Sequence, residues 1–138
     1  VSIRRLWREL VLSTAQQLAP TDLSLAQVAA LYLLADGRAR NVAEIAAELG
    51  RSHSATSRLV AGLVTRKLLR VVAAEDKRRR VHLLATAGEA MLTAIDRGRA
   101  EQFVGVVRRL PAAERGLVAA AVAALATRAP VTPPRTPS

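Results

Sequence analysis

Two helix starts stand eleven residues apart, at Asn41 and Ser52, with one glycine between the helices they open, and few folds accommodate that spacing. Asn41 followed by Glu44 can close a capping box, in which side chain and backbone satisfy two orphan amides reciprocally. Val42, Ile45, Ala46 and Leu49 then share one side of a helix, and Gly50 suits the left-handed residue past its end. Ser52 caps the next helix, whose Thr56, Leu59, Val60 and Leu63 turn inward and which is expected to run to about Leu68. Helices joined by so short a glycine-bearing turn form a helix-turn-helix. The outer face of the second carries His53, Ser54, Ser57 and Arg58, small hydrogen-bonding groups beside one long cation, which suits base edges and phosphates in a major groove. Gly62 lies inside that helix at roughly 1 kcal/mol relative to Ala, and close packing is the reason the sequence offers for it.

Charge singles out the same stretch. Residues 1–50 carry five basic and five acidic side chains, residues 51–80 nine and two, and residues 81–138 seven and four, so most of the net +10 is gathered into the middle. Such a field attracts polyanions. Within it, Leu69–Ala73 and Val81–Leu84 read as two antiparallel strands flanking the tip Glu75-Asp76-Lys77-Arg78-Arg79-Arg80, which makes a wing. A charged hairpin tip is ordinarily just a solvated one. Beside a helix-turn-helix, Lys77, Arg78, Arg79 and Arg80 read instead as DNA contacts. His53 is expected to donate to a phosphate or base edge rather than to bind a metal, and His82 to lie on the surface of a wing strand.

The flanks read as helices. Residues 3–18 place Ile3, Leu6, Trp7, Leu10, Val11, Thr14 and Leu18 on one stripe ended near Pro20. Ser24 with Gln27 opens a second helix as a capping box, with Leu25, Val28, Leu31 and Leu34 inward and Asp36-Gly37 as its stop. Thr86 with Glu89 would form a third box, opening a long helix with Met91, Leu92, Ile95, Phe103, Val106, Val107 and Leu110 on its apolar side. Pro111 then suits the start of an Ala-rich last helix to about Thr127. With 51% hydrophobic but 2% aromatic residues, the apolar mass favours close-packed helices, so the expected class is mainly α, in one structural unit. The absence of cysteine excludes disulfides and thiolate sites. No apolar run is long enough for a membrane span, and a cytoplasmic protein without a signal peptide is expected. No nucleophile, oriented histidine or phosphate-cradling glycine loop is visible, so neither an enzyme nor a cofactor is expected.

With these residues, the order of elements resembles the MarR family of bacterial transcription regulators. The resemblance covers roughly residues 1–128 and rests on Leu23-Ser24-Leu25-Ala26-Gln27, Ala43 to Gly50, Ser54 to Val60, Asp76 to Arg80, and Leu84-Ala85-Thr86-Ala87-Gly88. It implies a winged helix-turn-helix over 23–85, a helical dimerisation region over 1–22 and 86–128, and a Pro-rich tail over 129–138. It also implies recognition helices in successive major grooves, wing arginines in the flanking minor grooves, Asp76 bracing one of them where the plainer reading is that it offsets its neighbours' charge, and release from DNA by a small ligand. This chain departs from the family where Arg51 replaces an apolar residue, where Lys67 replaces a glycine, and where Ala85 replaces a threonine before the long helix.

The expected function is a homodimeric, sequence-specific transcription regulator, a repressor, on double-stranded DNA whose palindromic half-sites lie about 10 to 10.5 base pairs apart. The alternatives are a sequence-indifferent DNA-packing protein and a winged-helix module that meets an acidic protein. Dimerisation is expected through the terminal helices, with Ile95 and Val107 on the shared surface. Without thiols or paired histidines, any signal would be a small organic effector. Trp7, Leu10, Tyr32 and Phe103 are nominated as its pocket, against the plainer reading that they simply pack.

Overall fold

The computed structural model describes residues 3–75 and 79–128. Asp76, Lys77, Arg78 and the tail 129–138 lie outside the described residues. The elements are α1 (Ile3–Leu18), a short 3-10 turn (Ala19–Thr21), α2 (Leu25–Leu34), α3 (Val42–Leu49), α4 (His53–Thr65), β1 (Leu69–Ala73), β2 (Arg80–Leu84), α5 (Thr86–Val107) and α6 (Ala112–Arg128). This is the mainly α architecture with a two-stranded wing that the sequence predicts.

Local chemistry sets most of these boundaries. The capping boxes Ser24/Gln27 and Asn41/Glu44 both close, and Ser52 Oγ accepts the Ala55 amide at 3.2 Å to start α4. The third box does not form. Thr86 is already helical, and the Ala85 carbonyl accepts the Glu89 amide at 2.9 Å, so an alanine occupies the position a side-chain cap would take. Meanwhile the Ala85 amide donates to the Leu68 carbonyl at 3.0 Å, drawing this junction onto the end of α4. Gly88 is buried there, and a Cβ on it would run into the Leu68 carbonyl oxygen and the Leu84 side chain. Gly62 has no such reason, since a Cβ would meet only the Gln27 amide nitrogen at 3.5 Å, an ordinary contact.

Recognition helix α4 ends at Thr65, earlier than the Leu68 expected. Lys67 adopts a left-handed φ of 61°, its amide donating to Val64 and that of Leu68 to Leu63. That pair of bonds is a Schellman closure, which takes up the last carbonyls of the helix.

The chain divides into two compact units, Val1–Arg99 and Ala100–Ser138. In the first, Leu31, Leu34, Ile45, Val60, Leu63 and Thr56 are fully buried at the centre of a cluster that Leu18, Leu23, Val28, Leu68, Leu69 and Leu92 extend. Thr56 is the polar member, and its hydroxyl donates to the Ser52 carbonyl at 2.8 Å. Ile95 also belongs to this core at 7% exposure, which corrects its assignment to a dimer surface. Leu25 goes the other way, exposed where an inward residue was expected. Along α1 only Leu18 is buried, and Trp7 is 68% exposed. In the second unit, α6 buries none of its residues, and Leu117 is 72% exposed.

Candidate nucleic-acid interface

Helix α4 is held by one face and open on the other. Thr56, Leu59, Val60 and Leu63 fix it to the core, which leaves His53, Ser54, Ser57 and Arg58 exposed. The wing pairs Leu69 with Leu84 through Ala73 with Arg80, and Arg40 adds a further bridge to His82. In that bridge His82 N–H donates to the Arg40 carbonyl at 2.8 Å and Arg40 N–H to the His82 carbonyl at 3.1 Å. His82 is therefore 6% exposed rather than a surface residue, and burial pushes its imidazole below the usual pKa, with the nearby Arg80 acting in the same direction.

Not every cation near this surface is available to a partner. Arg40 donates through both terminal nitrogens to the Asp36 carboxylate, at 2.8 and 2.7 Å, and also to the Leu33 carbonyl at 2.9 Å. These bonds, with the Arg38 amide, hold the Asp36 carboxyl well below the ordinary carboxylate range. Arg66 donates to the carbonyls of Thr21 and Asp22 at 2.7 and 3.0 Å, tying the turn after α1 to the end of α4. Both guanidiniums hold the fold together.

Two recesses flank the outer face of α4. On the wing side, His53 and Ser57 share a groove of about 680 Å3 with Arg79 and Arg80. A second hollow of about 400 Å3 is lined by Arg58, Arg51, Ser24 and Gln27. Separately, Trp7, Leu10, Val11, Leu23 and Arg99 line a more apolar cavity of about 910 Å3 between α1 and the start of α2. Arg99 is fixed at its wall by a 3.0 Å bond to Thr14 Oγ1. Among the described residues no group of three His, Asp or Glu side chains is placed to hold a metal ion.

The sequence model of the MarR family matches residues 21–80, from the turn before α2 through the helix-turn-helix and β1 to the first residue of β2. Over that span the chain is similar to the MarR family. Solved MarR-like structures share the fold over nearly the whole chain. Mycobacterium tuberculosis RV1404 is 25% identical, with 93% of this chain and 90% of that one covered and a TM-score of 0.78. A Staphylococcus aureus MepR variant bound to an oligodeoxyribonucleotide is 23% identical, with 90% and 92% covered and a TM-score of 0.75. MepR bound to ethidium bromide is 23% identical, with 90% and 91% covered and a TM-score of 0.66. A search of curated protein sequences found no match.

The winged helix thus brings two nominated recognition residues, His53 and Ser57, together with two nominated wing residues, Arg79 and Arg80. It places Arg58 in the other recess, and Ser54 is exposed at the first turn of α4. Of the four nominated pocket residues, Trp7 and Leu10 share the large cavity. Tyr32 lines a different recess, where its hydroxyl donates to Asp96 at 2.6 Å, and burial followed by that bond pushes its pKa up to about 12. Phe103 belongs to the second unit and is half exposed. Sequence reasoning missed Arg99 and Arg66, whose partners are remote in sequence, and Arg40, whose carboxylate partner Asp36 lies only one helical turn back. It also passed over Arg51 as part of the surface, although its departure from an apolar residue was the available signal.

Proposed function

We propose that the protein is a homodimeric, sequence-specific DNA-binding transcription regulator acting as a repressor, with an organic effector that releases it from DNA. The reading is carried by one juxtaposition: the open face of a core-anchored recognition helix and the wing arginines line a common groove. A helix so held presents Ser57 and His53 to base edges while Arg79 and Arg80 reach the flanking backbone and minor groove. Support comes also from MepR, which has this fold, is described as a transcription regulator of a multidrug efflux pump, and has been captured on an oligodeoxyribonucleotide. A non-enzymatic role fits the same comparison.

Dimerisation is supported by two uncovered apolar faces, Ile3, Leu6, Trp7 and Leu10 on α1 and Leu117, Val122 and Leu125 on α6. Exposed apolar faces of this kind are what a subunit interface covers, and a two-fold dimer presents two recognition helices to a palindrome. The effector reading rests on the cavity beside Trp7 and Arg99, and on a relative that binds ethidium bromide. An effector could act only by binding more tightly to a conformer whose recognition helices mismatch successive major grooves.

The test is a titration of the full chain with a duplex enriched from a random pool and with a scrambled duplex, at two salt concentrations. A regulator prefers the enriched duplex by at least about 1000-fold. Equal affinities would mean a DNA-packing protein, and binding to neither would leave a protein-interaction module. Trp7 fluorescence, read while organic compounds displace the duplex, tests the effector.

A further inference from the structure

We propose that Arg51 and Arg58, with the Ser24 hydroxyl, form a clamp for a DNA backbone phosphate on the side of the recognition helix away from the wing groove. The inference rests on the DNA-binding reading above and assigns Arg58 to the backbone rather than to a base edge.

It begins at the end of α3. Gly50 there has a left-handed φ of 64°, its amide donating to Ala47 and that of Arg51 to Ala46, a Schellman closure. In such closures the residue after the left-handed one is commonly apolar and packs back on the last turn. Here that residue is Arg51, and it is exposed. An apolar contact has been given up for a cation at the turn of the helix-turn-helix.

Its surroundings sharpen the question. Arg51 lines a hollow with Arg58, so two arginines border one small recess, and no carboxylate is among its lining residues. Among the described residues neither guanidinium makes a hydrogen bond or ion pair, unlike those of Arg40 and Arg66. Two cations bordering one recess suit an anion that accepts from both. Ser24 Oγ accepts the Gln27 amide at 3.1 Å, which leaves its hydrogen free to donate into the same recess. Gln27 also lines the recess, but its amide oxygen already accepts the Ser24 amide at 3.0 Å, and three donors with no carboxylate among them suit phosphate oxygens better than a base edge, which presents donors and acceptors in alternation.

The position fits that role. The hollow opens beside α4, whose other recess holds His53, Ser57, Arg79 and Arg80. A helix lying in a major groove has a backbone strand on each side, so the wing groove and the clamp would grip one strand each.

The experiment compares Arg51→Leu, Arg58→Ala and Ser57→Ala with the unaltered chain, using the enriched and scrambled duplexes over a salt series. Arg51→Leu restores an apolar residue to the helix closure, so its thermal midpoint is expected to hold or rise. If the clamp exists, Arg51→Leu and Arg58→Ala each weaken both duplexes by the same factor and lower the slope of log K against log salt by about 0.9, leaving the enriched-to-scrambled ratio unchanged. Ser57→Ala instead lowers that ratio. Slopes unchanged in both arginine variants, or a ratio that falls in Arg58→Ala, would overturn the clamp while leaving DNA binding intact. Failure of the unaltered chain to bind either duplex would overturn the functional reading first.

Discussion

Helices α3 and α4 end with the same backbone bonds and opposite side chains. At the end of α3 the left-handed residue is Gly50 and the next is the exposed cation Arg51, whereas at the end of α4 the left-handed residue is the cation Lys67 and the next is the buried Leu68. Each end therefore meets one of the two demands of this closure and puts a positive charge where the other demand lies. The backbone pattern is fixed by carbonyls that need donors, while the side chains beside it are free to serve something else. At α3 that freedom places a cation on the helix-turn-helix turn. At α4 it keeps the apolar contact and accepts backbone strain instead.

The most severe way to break the comparison is Leu68→Ala. If the apolar closure holds the α4 end to the core, the change costs about 2–5 kcal/mol in denaturant unfolding. A loss below about 1 kcal/mol would mean that the hydrogen bonds suffice, and the two ends would differ in appearance only. Next in size is Gly50→Ala. Nothing lies within 4 Å of the added Cβ, so the destabilisation, about 1 kcal/mol, reports left-handed strain alone. Lys67→Gly runs the other way: removing the strain at φ 61° is expected to stabilise the chain by about 0.5–1 kcal/mol, after the greater freedom of glycine in the unfolded state is subtracted. An unchanged thermal midpoint would show that the lysine side chain contributes a compensating contact.

The last test follows the α4 end into the wing, where Leu69 pairs with Leu84 and His82 lies buried on the same strand as Leu84. Burial lowers the folded pKa of His82 below its ordinary 6.5, so the unfolded chain takes up the proton first as pH falls. The stability this neutral histidine allows is complete above the ordinary value and is lost as pH drops through it toward the folded pKa. Thermal midpoints measured from about pH 8 to pH 5 should fall over that window, and His82→Gln should flatten the fall. An identical profile in the variant would place the titrating group elsewhere.

How far the sequence could be read depended on the distance over which each partner is found. Ser24/Gln27 and Asn41/Glu44 are legible because both halves of each box lie within one helical turn, and the structure closes both. The inward stripe of α4 is legible for the same reason, as Thr56, Leu59, Val60 and Leu63 all bury. His82 was misread because the strand that covers it is Arg40, far back in the chain, and a lone histidine between apolar residues carries no trace of that. Arg66 counted as part of a DNA-attracting field until the turn carbonyls of Thr21 and Asp22 claimed it. The stop of α4 before Leu68 was missed because lysine is a good helix former and hides the left-handed turn it makes, although its standing where the family has a glycine was a sign. Of the candidate site, the residues on α4 could be named from periodicity, but their division between two recesses could not.

Gly88 bears on inheritance as well as on packing. Because the Leu68 carbonyl occupies the space a Cβ would need, a descendant chain cannot change this residue alone; it must first move the strand, the turn after α4 or the start of α5. Such paired changes are rare steps, so position 88 should drift far more slowly than the arginine-rich tip of the wing. Distant chains of this fold can then be brought into register on a glycine that lines neither the grooves beside α4 nor the cavity beside Trp7.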